Sequence, residues 1–328
     1  MARTHPYILV SIGGQAAGPG FYDRLSKATI TDATGQDSDR IELVFDDAGN
    51  AIAAPSEGAV LAVQFGYRDV GLWRMGLYTV EQIGFEGGES GETLTLTGRS
   101  ADMRSDLKEP LSEHFDDDTV GGIVEKLAAR HGLQAKVSAD LAGRKVPYIA
   151  RVDQSTIDFG TRLADRNGAL FSVKGGKMLL LKRGEIDMGR LSIARSDCAS
   201  WSFQTDPRPR YGGTEARWFD RETGEPRFEK ASTGLQGPKK RLRHVLSSSG
   251  EAKSAASAEG QRLNRATGTG EIELAGMPEA AAEMDVALIG FRPEINGLWR
   301  AKTVTHEIGD AYTTRIELEA PESGKNPP

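Results

Sequence analysis

The sequence has a single cysteine, Cys198, among its 328 residues. One thiol excludes an intrachain disulfide and excludes a metal site built from cysteines. No motif surrounds Cys198, so we expect a buried structural thiol. A chain with so little cysteine is consistent with folding in a reduced, cytoplasmic compartment.

Long hydrophobic runs are also missing. Residues 1–10 lack the apolar core of a signal peptide, and no segment is long enough to span a membrane. Apolar residues make up 38% of the chain and charged residues 27%, which indicates a globular protein of two or three domains. The net charge of −6 disfavours tight binding to a phosphate backbone, although an acidic chain can line a passage through which nucleic acid slides.

The motifs of common enzyme classes are absent: Gly-x-Ser-x-Gly, His-Glu-x-x-His and a phosphate loop with Gly-Lys-Ser/Thr. The Gly-rich segment 13–18 is not followed by a helical pattern, so we interpret it as a loop and not as a phosphate cradle. We therefore expect no enzyme activity, no cofactor and no metal.

Four groups of polar residues remain as weaker candidates for a site. His114 with residues 116–118 has cation-ligand chemistry, but a solvated loop before a helix is the preferred interpretation. His306 has no acid or histidine partner placed by the sequence and is interpreted as structural. Asp220 with Glu222 could suggest a glycosidase pair, but carboxylates at a turn are interpreted as solvated. One basic cluster, formed by Lys239, Lys240, Arg241, Arg243 and His244, has no interleaved aromatic residues, which favours a protein contact or an exposed loop over DNA.

Short alternating runs separated by glycine dominate the first hundred residues. Residues 41–45 place Ile41, Leu43 and Phe45 on one face, and residues 93–97 alternate Thr with Leu. The chain has 39 glycines, and this pattern predicts a β-sandwich or barrel.

The pattern changes after Lys108. An apolar stripe over 120–128, with Asp118 or Thr119 as N-cap, predicts a helix that ends at His131-Gly132. A strand at 134–137, a helix from Ser155 to Asn167, and a hairpin turning at 174–177 follow. Strands return from Leu191, interrupted by a helix near 251–266.

A tetrapeptide repeats near the two ends of the chain. Gly71-Leu72-Trp73-Arg74 recurs as Gly297-Leu298-Trp299-Arg300, each after a β run and a Gly-aromatic-Arg triplet that begins at Gly66 or Gly290. The order and strand context predict two related β units with Trp73 and Trp299 at matching places in a core or interface.

Four stretches in this order resemble the phage late control D family of baseplate hub proteins, which is similar to the hub part of VgrG spike proteins. They are Tyr7–Val10 with residues 25–43; Pro55-x-x-Gly58, Gly66-Tyr67 and residues 98–102; residues 107–168 with His131-Gly132-Leu133 and Phe159-Gly160; and Gly297–Arg300, Val304-Thr305-His306 and Tyr312-Thr313-Thr314. The region 207–250 matches least.

The resemblance implies a mainly β fold with an α+β insertion, in which two tail-tube-like β-barrels flank a small α/β module. The expected units are a first barrel over 1–108, a module over 109–188, a second barrel over 189–321 and a loose tail over 322–328. It also implies a non-catalytic homotrimer, whose pseudo-sixfold ring joins a hexameric tail tube to a trimeric spike. Tape-measure and other baseplate proteins would be further partners, in a virion tail assembled in the bacterial cytoplasm.

Three alternatives remain open from the sequence. The chain is also compatible with a tailocin or another phage-derived injection device. A tail-associated cell-wall hydrolase lacks the acid, base or metal constellation that it would need. A carbohydrate-binding β-sandwich would expose an aromatic platform, and the chain has only four Trp.

Overall fold

The computed structural model describes residues 5–34, 39–89, 91–100, 105–174, 176–183, 188–205 and 211–324. The strands of the first part are β1 (Pro6–Ile12), β2 (Gln15–Ala16), β3 (Leu25–Ala33), β4 (Arg40–Asp46), β5 (Val60–Tyr67), β6 (Gly71–Gly88) and β7 (Gly91–Ser100). The middle part has β8 (Leu111–Thr119), β9 (Gln134–Val137), β10 (Lys145–Gln154), β11 (Ala169–Lys174) and β12 (Lys177–Lys182). The last part has β13 (Arg190–Ala194), β14 (Cys198–Thr205), β15 (Gly213–Asp220), β16 (Glu225–Ser232), β17 (Lys239–Leu246), β18 (Gly268–Ala275), β19 (Asp285–Ile289), β20 (Gly297–Ile308) and β21 (Tyr312–Glu319). The helices are α1 (Pro19–Arg24), α2 (Val120–Arg130), α3 (Ala139–Ala142), α4 (Thr156–Asn167) and α5 (Ser249–Arg265).

One large sheet contains strands from both ends of the chain. Its main path runs β14-β18-β21-β20-β3-β4-β7-β6-β5-β1-β2, and β19 joins β20 to β13. Alternating side chains bury one face of this sheet, as the period of a strand requires. Two hydrophobic cores lie on that face: one gathers residues such as Val10, Phe45 and Phe65, and the other residues such as Ile193, Trp299 and Ile316.

The two halves of this sheet have the same topology. In the first half, the strands in chain order β1, β3, β4, β5, β6 and β7 lie in the sheet order β3-β4-β7-β6-β5-β1. In the second half, β13, β14, β18, β19, β20 and β21 lie in the order β14-β18-β21-β20-β19-β13. Only the last pairing differs in direction within the described residues, since β1 and β5 are antiparallel whereas β13 and β19 are parallel. The chain therefore carries one six-strand unit twice.

A small α/β module connects the two units. Helices α2 and α4 pack with β8–β12 around a core that includes Ile123, Leu127, Phe159 and Phe171. The predicted caps are confirmed: the Thr119 hydroxyl accepts a hydrogen bond from the backbone N–H of Gly122, and the Ser155 hydroxyl accepts one from Asp158. Residue 168 ends α4 in the left-handed conformation that favours glycine.

A second insertion lies between β14 and β18. Strands β15, β16 and β17 form a three-stranded sheet in the order β16-β15-β17. Helix α5 covers one face of it through Ala252, Ala255 and Ala256, which pack against Ala216 and Leu246. This sheet fills most of the region 207–250, which resembled the family least.

Two local predictions are wrong. A helix does follow the Gly-rich segment 13–18, because Pro19 opens the short α1, whose six residues are too few to show a helical period. The acidic segment around Asp116–Asp118 is not a loop; it belongs to β8, which pairs with β10. The predicted positions Gly35, Ala101, Asp102 and Gly175 lie outside the described residues.

Candidate assembly interface

The two units are joined edge to edge inside the chain. Residues 28–33 of β3 pair antiparallel with residues 303–308 of β20, from Ala28 opposite Ile308 to Ala33 opposite Thr303. We call these two segments the seam. At its end the hydroxyl and the backbone N–H of Thr34 both donate to the carbonyl of Lys302, at 2.7 and 3.2 Å. The seam makes the sheets of both units continuous.

Aromatic side chains pack across the buried face of the seam. Tyr312 belongs to the second unit but contacts the core of the first, with its ring 5.4 Å from that of Tyr67 and 6.0 Å from that of Phe65. The Tyr67 hydroxyl donates to the carbonyl of Gly276 at 2.9 Å. A side chain at Gly276 would collide with the Tyr312 ring. This packing fixes the relative position of the two units.

His306 lies on the same buried face and is 1% exposed. Its Nε2 donates to the carbonyl of Ala280 at 3.1 Å, because a carbonyl can only accept. Its Nδ1 is then the acceptor, and the hydroxyls of Tyr312 and Thr314, which lie 3.1 Å from it, share its one lone pair. Burial lowers the pKa of His306 below its ordinary value, so the imidazole is neutral. His306 and Tyr312 both belong to the last of the four stretches that resemble the family, and they contact each other at the seam.

Polar contacts lie along the seam as well. The ammonium of Lys27 is 2.9 Å from the carboxylate of Glu307 on the exposed face. The backbone N–H of Ala282 donates to the carboxylate of Asp32 at 2.9 Å. An exposed ion pair of this kind contributes little stability, so the buried aromatic face carries most of the energy of the seam.

Two β-bulges show which residues of the first unit correspond to which residues of the second. The pairing of β6 with β7 shifts between Val80 and Gln82, and the pairing of β20 with β21 shifts between Ala301 and Thr303. Bulges are specific features of a strand pair, so they are reliable points of alignment. In this register Trp299 corresponds to Tyr78, and not to Trp73.

The burial of these side chains agrees with the bulge register. Trp299 is 0% exposed and Tyr78 is 1% exposed, whereas Trp73 is half-buried. Trp299 lies opposite Val286 and Tyr78 opposite Leu61, and both partners are core residues. The Trp299 indole N–H donates to the carbonyl of Ile295 at 2.6 Å. The predicted equivalence of Trp73 with Trp299 is therefore shifted by five residues.

With this alignment, a second short repeat becomes apparent, at positions different from those of the matching tetrapeptides. Residues 76–78 read Gly-Leu-Tyr and residues 297–299 read Gly-Leu-Trp, so each carries Gly-Leu-aromatic. Gly76 and Gly297 have φ angles of +134° and +97°, which L side chains rarely adopt. Tetrapeptide identity at Gly71 was the stronger sequence signal, but the β5–β6 hairpin is longer than its counterpart, so Gly71 lies beside the hairpin turn, opposite Tyr67.

The remaining residues of the predicted repeat motif also differ in their surroundings. Gly66 lies within β5, opposite Leu72, whereas Gly290 lies in the loop after β19. Arg74 is exposed. Arg300 is half-buried and donates to the carbonyl of Glu283 at 3.0 Å.

The other candidate sites are held by local contacts. His114 Nε2 is 3.2 Å from the carboxylate of Asp116 at an exposed position. The carboxylate of Asp220 accepts from the backbone N–H of Glu222 and pairs with Arg227 at 2.9 Å. No group of three or more potential metal ligands is found within the described part of the chain.

The basic cluster lies on β17, and acidic side chains of neighbouring elements lie beside it. The Glu215 carboxylate is 3.2 Å from the Arg241 guanidinium and 3.7 Å from the Lys239 ammonium, which lowers the pKa of Glu215. Lys240 pairs with Glu259 at 2.6 Å. Cys198 is half-buried at the start of β14, and burial raises the pKa of its thiol.

Three side chains that are distant in sequence are arranged like a catalytic triad, and the sequence analysis did not predict this arrangement. His131 Nδ1 is 2.8 Å from the carboxylate of Asp106, and its Nε2 is 2.9 Å from the hydroxyl of Thr156. Thr156 is 1% exposed at the start of α4, so a substrate cannot reach its hydroxyl. The group ties α2 to α4 and to the segment that enters the module.

Among the helices that the structure describes, none is both long enough and apolar enough to cross a bilayer. A duplicated β unit and a sheet that is continuous across a seam define a β-rich protein organised around sheet edges. The sequence matches the family described as "Phage tail baseplate hub (GPD)" over residues 77–312. The chain belongs to this family.

Two phage proteins are similar to this chain over nearly its full length. The probable baseplate hub protein of Escherichia phage 186 is 29% identical, with 96% of this chain and 92% of the relative covered. The probable baseplate hub protein of Escherichia phage P2 is 30% identical, with 90% of this chain and 88% of the relative covered. The protein is thus a baseplate hub of the phage-tail type.

Solved structures share the fold. The 43 kDa tail protein of prophage MuSo2 from Shewanella oneidensis has a TM-score of 0.73 at 16% identity, covering 97% of this chain and 99% of that one. A component of the E. coli type VI secretion system, described as similar to the T4 tail proteins gp27 and gp5, has a TM-score of 0.60 at 11% identity, covering 97% and 79%. The predicted fold class, two related β units flanking an α/β module, is confirmed.

Proposed function

We propose that three copies of this chain form the hub ring of a contractile tail or phage-derived injection device. Each copy supplies two six-strand barrels, so the ring has threefold symmetry and six nearly equivalent positions. Such a ring matches a hexameric tail tube on one side and a trimeric spike on the other. The proposal divides the chain into a barrel over 1–108, a module over 109–188, a second barrel over 189–321 and a tail over 322–328.

The observation that carries the proposal is the repeated unit joined by the seam. Both units have the same six strands in the same order, and two of their strand pairs carry a bulge at corresponding places. One chain therefore already contains one junction between neighbouring units. A ring of six units requires the same kind of junction between chains, and the physical reason is that a closed ring leaves no sheet edge exposed.

The exposed face of the large sheet has the chemistry of a channel wall. Thr and Glu side chains such as Thr29, Glu42, Thr97 and Glu307 point away from the cores. Several cations there are paired, as Arg315 is with Glu273 at 2.8 Å. A wall rich in hydroxyls and acids repels a phosphate backbone, so nucleic acid or a tape-measure protein would pass without binding.

The proposed partners are the tail tube, the spike and neighbouring baseplate proteins, in a virion or particle tail assembled in the bacterial cytoplasm. Support comes from the family, whose described role is that of a baseplate hub. The role is structural: the described polar groups support packing and do not form an open catalytic constellation.

Mass measurement of the purified full-length chain tests this proposal. Native mass spectrometry at micromolar concentration should give three times the chain mass of 35.3 kDa. The trimer should bind the tail tube protein and the spike protein of the same particle, in pull-down experiments with each partner separately. A chain that stays monomeric and binds neither partner would contradict the proposal.

A further inference from the structure

Within the described residues, β2, β13, β14 and the end of β6 each pair on one side only, and the edges of β14 and β6 concern us here. Within the described residues, β14 pairs only with β18. Residues 81–88 of β6 pair only with β7, because β5 ends its pairing at Thr79. Unpaired edges present rows of N–H and C=O groups that can add a further strand.

The internal repeat identifies these two edges as the two sides of a seam. By bulge register, residues 82–87 of β6 correspond to residues 303–308 of β20, the second-unit side of the existing seam. Strand β14 corresponds to β3, because both pair with the next strand through a bulge at matching places, between Cys198 and Ser200 and between Leu25 and Lys27. The intrachain seam therefore serves as a template for a second one.

We propose that the β6 edge of one copy pairs antiparallel with β14 of the next copy. This inference rests on the proposed trimer and names its contact. Transferring the register of the intrachain seam places Gly87 opposite Trp201, Phe85 opposite Phe203, and Glu86 opposite Ser202 of the neighbouring copy. Repeated three times, this contact closes the ring, with the seam inside each chain alternating with the seam between chains.

Side-chain sizes are complementary in this register. In the existing seam a small residue, Ala28, lies opposite the larger Ile308. In the proposed seam the order is reversed: Gly87 has no side chain, and it leaves room for the large ring of Trp201. A register shifted by one residue would place Trp201 on the opposite face from Phe85 and lose this fit.

On the other face of the proposed seam, polar residues are complementary in the same way as in the existing seam. Glu307 lies opposite Thr29 in the existing seam, so a carboxylate faces a hydroxyl. Glu86 opposite Ser202 repeats that pair. Residues 198–204 of β14 contain no Asp or Glu, so no like charges meet across the proposed seam.

The exposure of the apolar side chains indicates that a partner is missing from these edges. Phe85 is 64% exposed and Trp201 is 40% exposed, although their counterparts in the existing seam, His306 and Ala28, are 1% and 0% exposed. Contact between the copies would bury both rings together. Aromatic residues at cross-strand positions stabilise such pairs.

Disulfide cross-linking tests the register directly. In a full-length Cys198→Ser background, the pair Glu86→Cys with Ser202→Cys should form a bond between chains, since directly opposed residues have Cα atoms about 4.5–5.5 Å apart and a disulfide tolerates that separation. The expected result is a ladder of covalent dimers and trimers on a non-reducing gel. The two positions lie at opposite ends of the sheet in one chain, so an intrachain bond is excluded.

The matched control moves one cysteine by two residues, combining Glu86→Cys with Gln204→Cys. It should cross-link far more slowly, because the diagonal distance is about 7–8 Å. If native mass shows a trimer but the control pair cross-links instead, or neither pair does, this seam is wrong while the proposed trimer stands. If all variants and the wild type are monomeric, the proposed function itself fails, and the seam with it.

A charge on the proposed seam gives an independent readout. Phe85→Asp should convert the trimer to a folded monomer, because a carboxylate would be buried against Phe203 of the next copy. Circular dichroism confirms that the variant is folded. Phe228→Asp, at a ring that is 41% exposed on the separate three-stranded sheet, should leave the trimer intact. A trimeric Phe85→Asp variant would overturn the proposal.

Discussion

At the scale of single residues, the two units are related by position more than by identity. Trp299 and Tyr78 fill corresponding core positions with different rings, and both rings are almost completely buried. His306 and Phe85 also correspond, but His306 has a strand on both sides, whereas Phe85 pairs only with β7 within the described residues. The same fold position can therefore hold a buried neutral histidine in one unit and an exposed phenylalanine in the other.

The core role of Trp299 leads to a comparison of two tryptophans. Trp299→Ala should lower the free energy of unfolding by about 3–5 kcal/mol, because it removes a fully buried ring from a close-packed core. Trp73→Ala should cost about half of that or less, since Trp73 is half-buried. Urea unfolding monitored by circular dichroism measures both. Equal losses would contradict the register assigned from the bulges.

The seam histidine makes stability depend on pH. Burial holds the pKa of His306 below the 6.5 of an unfolded chain. Below about pH 6.5 the unfolded state therefore binds a proton that the folded state does not, so the free energy of unfolding falls as pH decreases through this range. His306→Gln should remove this part of the pH dependence in urea titrations between about pH 5 and 8.

The control for this experiment is His114→Gln, at an exposed position of β8. It removes a histidine from the surface, so it separates the effect of the buried site from the effect of losing any histidine. An unchanged slope in the His306 variant would show that another group is responsible.

At the scale of elements, local signals predicted the three longer helices, α2, α4 and α5, and missed the short α1 and α3. The N-caps Thr119 and Ser155 and the helix end at Gly168 are local backbone requirements, so they can be read from a few residues. Strand β8 was mistaken for a loop because its acidic residues disfavour strands, and tertiary pairing with β10 overrides that preference.

The seam could not be predicted from the sequence. It joins β3 to β20 across most of the chain, and periodicity gives the face of a strand but not its partner. Tyr312 was named only through the family resemblance; its contact with His306 lies within the β20–β21 hairpin, but its packing on Phe65 and Tyr67 depends on the seam. The corresponding triplets at Gly76 and Gly297 were a usable signal, but the longer identity at Gly71 concealed it.

The cap of α2 gives a prediction at this scale. Thr119→Ala should weaken the first turn of the helix by about 1 kcal/mol, because the Gly122 N–H loses its acceptor. Hydrogen exchange at residues 121–123, measured by mass spectrometry, should become about fivefold faster. Thr119→Ser keeps the hydroxyl and should exchange like the wild type; the same acceleration in both variants would argue against the cap.

At the scale of the whole molecule, the seam explains why the unit occurs twice. A single chain with two units contains one junction, and within the described residues the corresponding edges of β6 and β14 each have a neighbour on one side only. Three chains can close these edges into a ring that is threefold by identity and near-sixfold by shape. The α/β module and the three-stranded sheet with α5 each occur once in the chain. In the proposed ring they would therefore repeat three times and not six.

The most direct test of this account is an electron-microscopy image of the purified full-length protein, averaged in projection down the ring axis. We expect a closed ring with a central channel, six similar density lobes around the channel, and outer features repeated three times. Single particles without a channel, or a ring whose symmetry is neither threefold nor near-sixfold, would contradict the account.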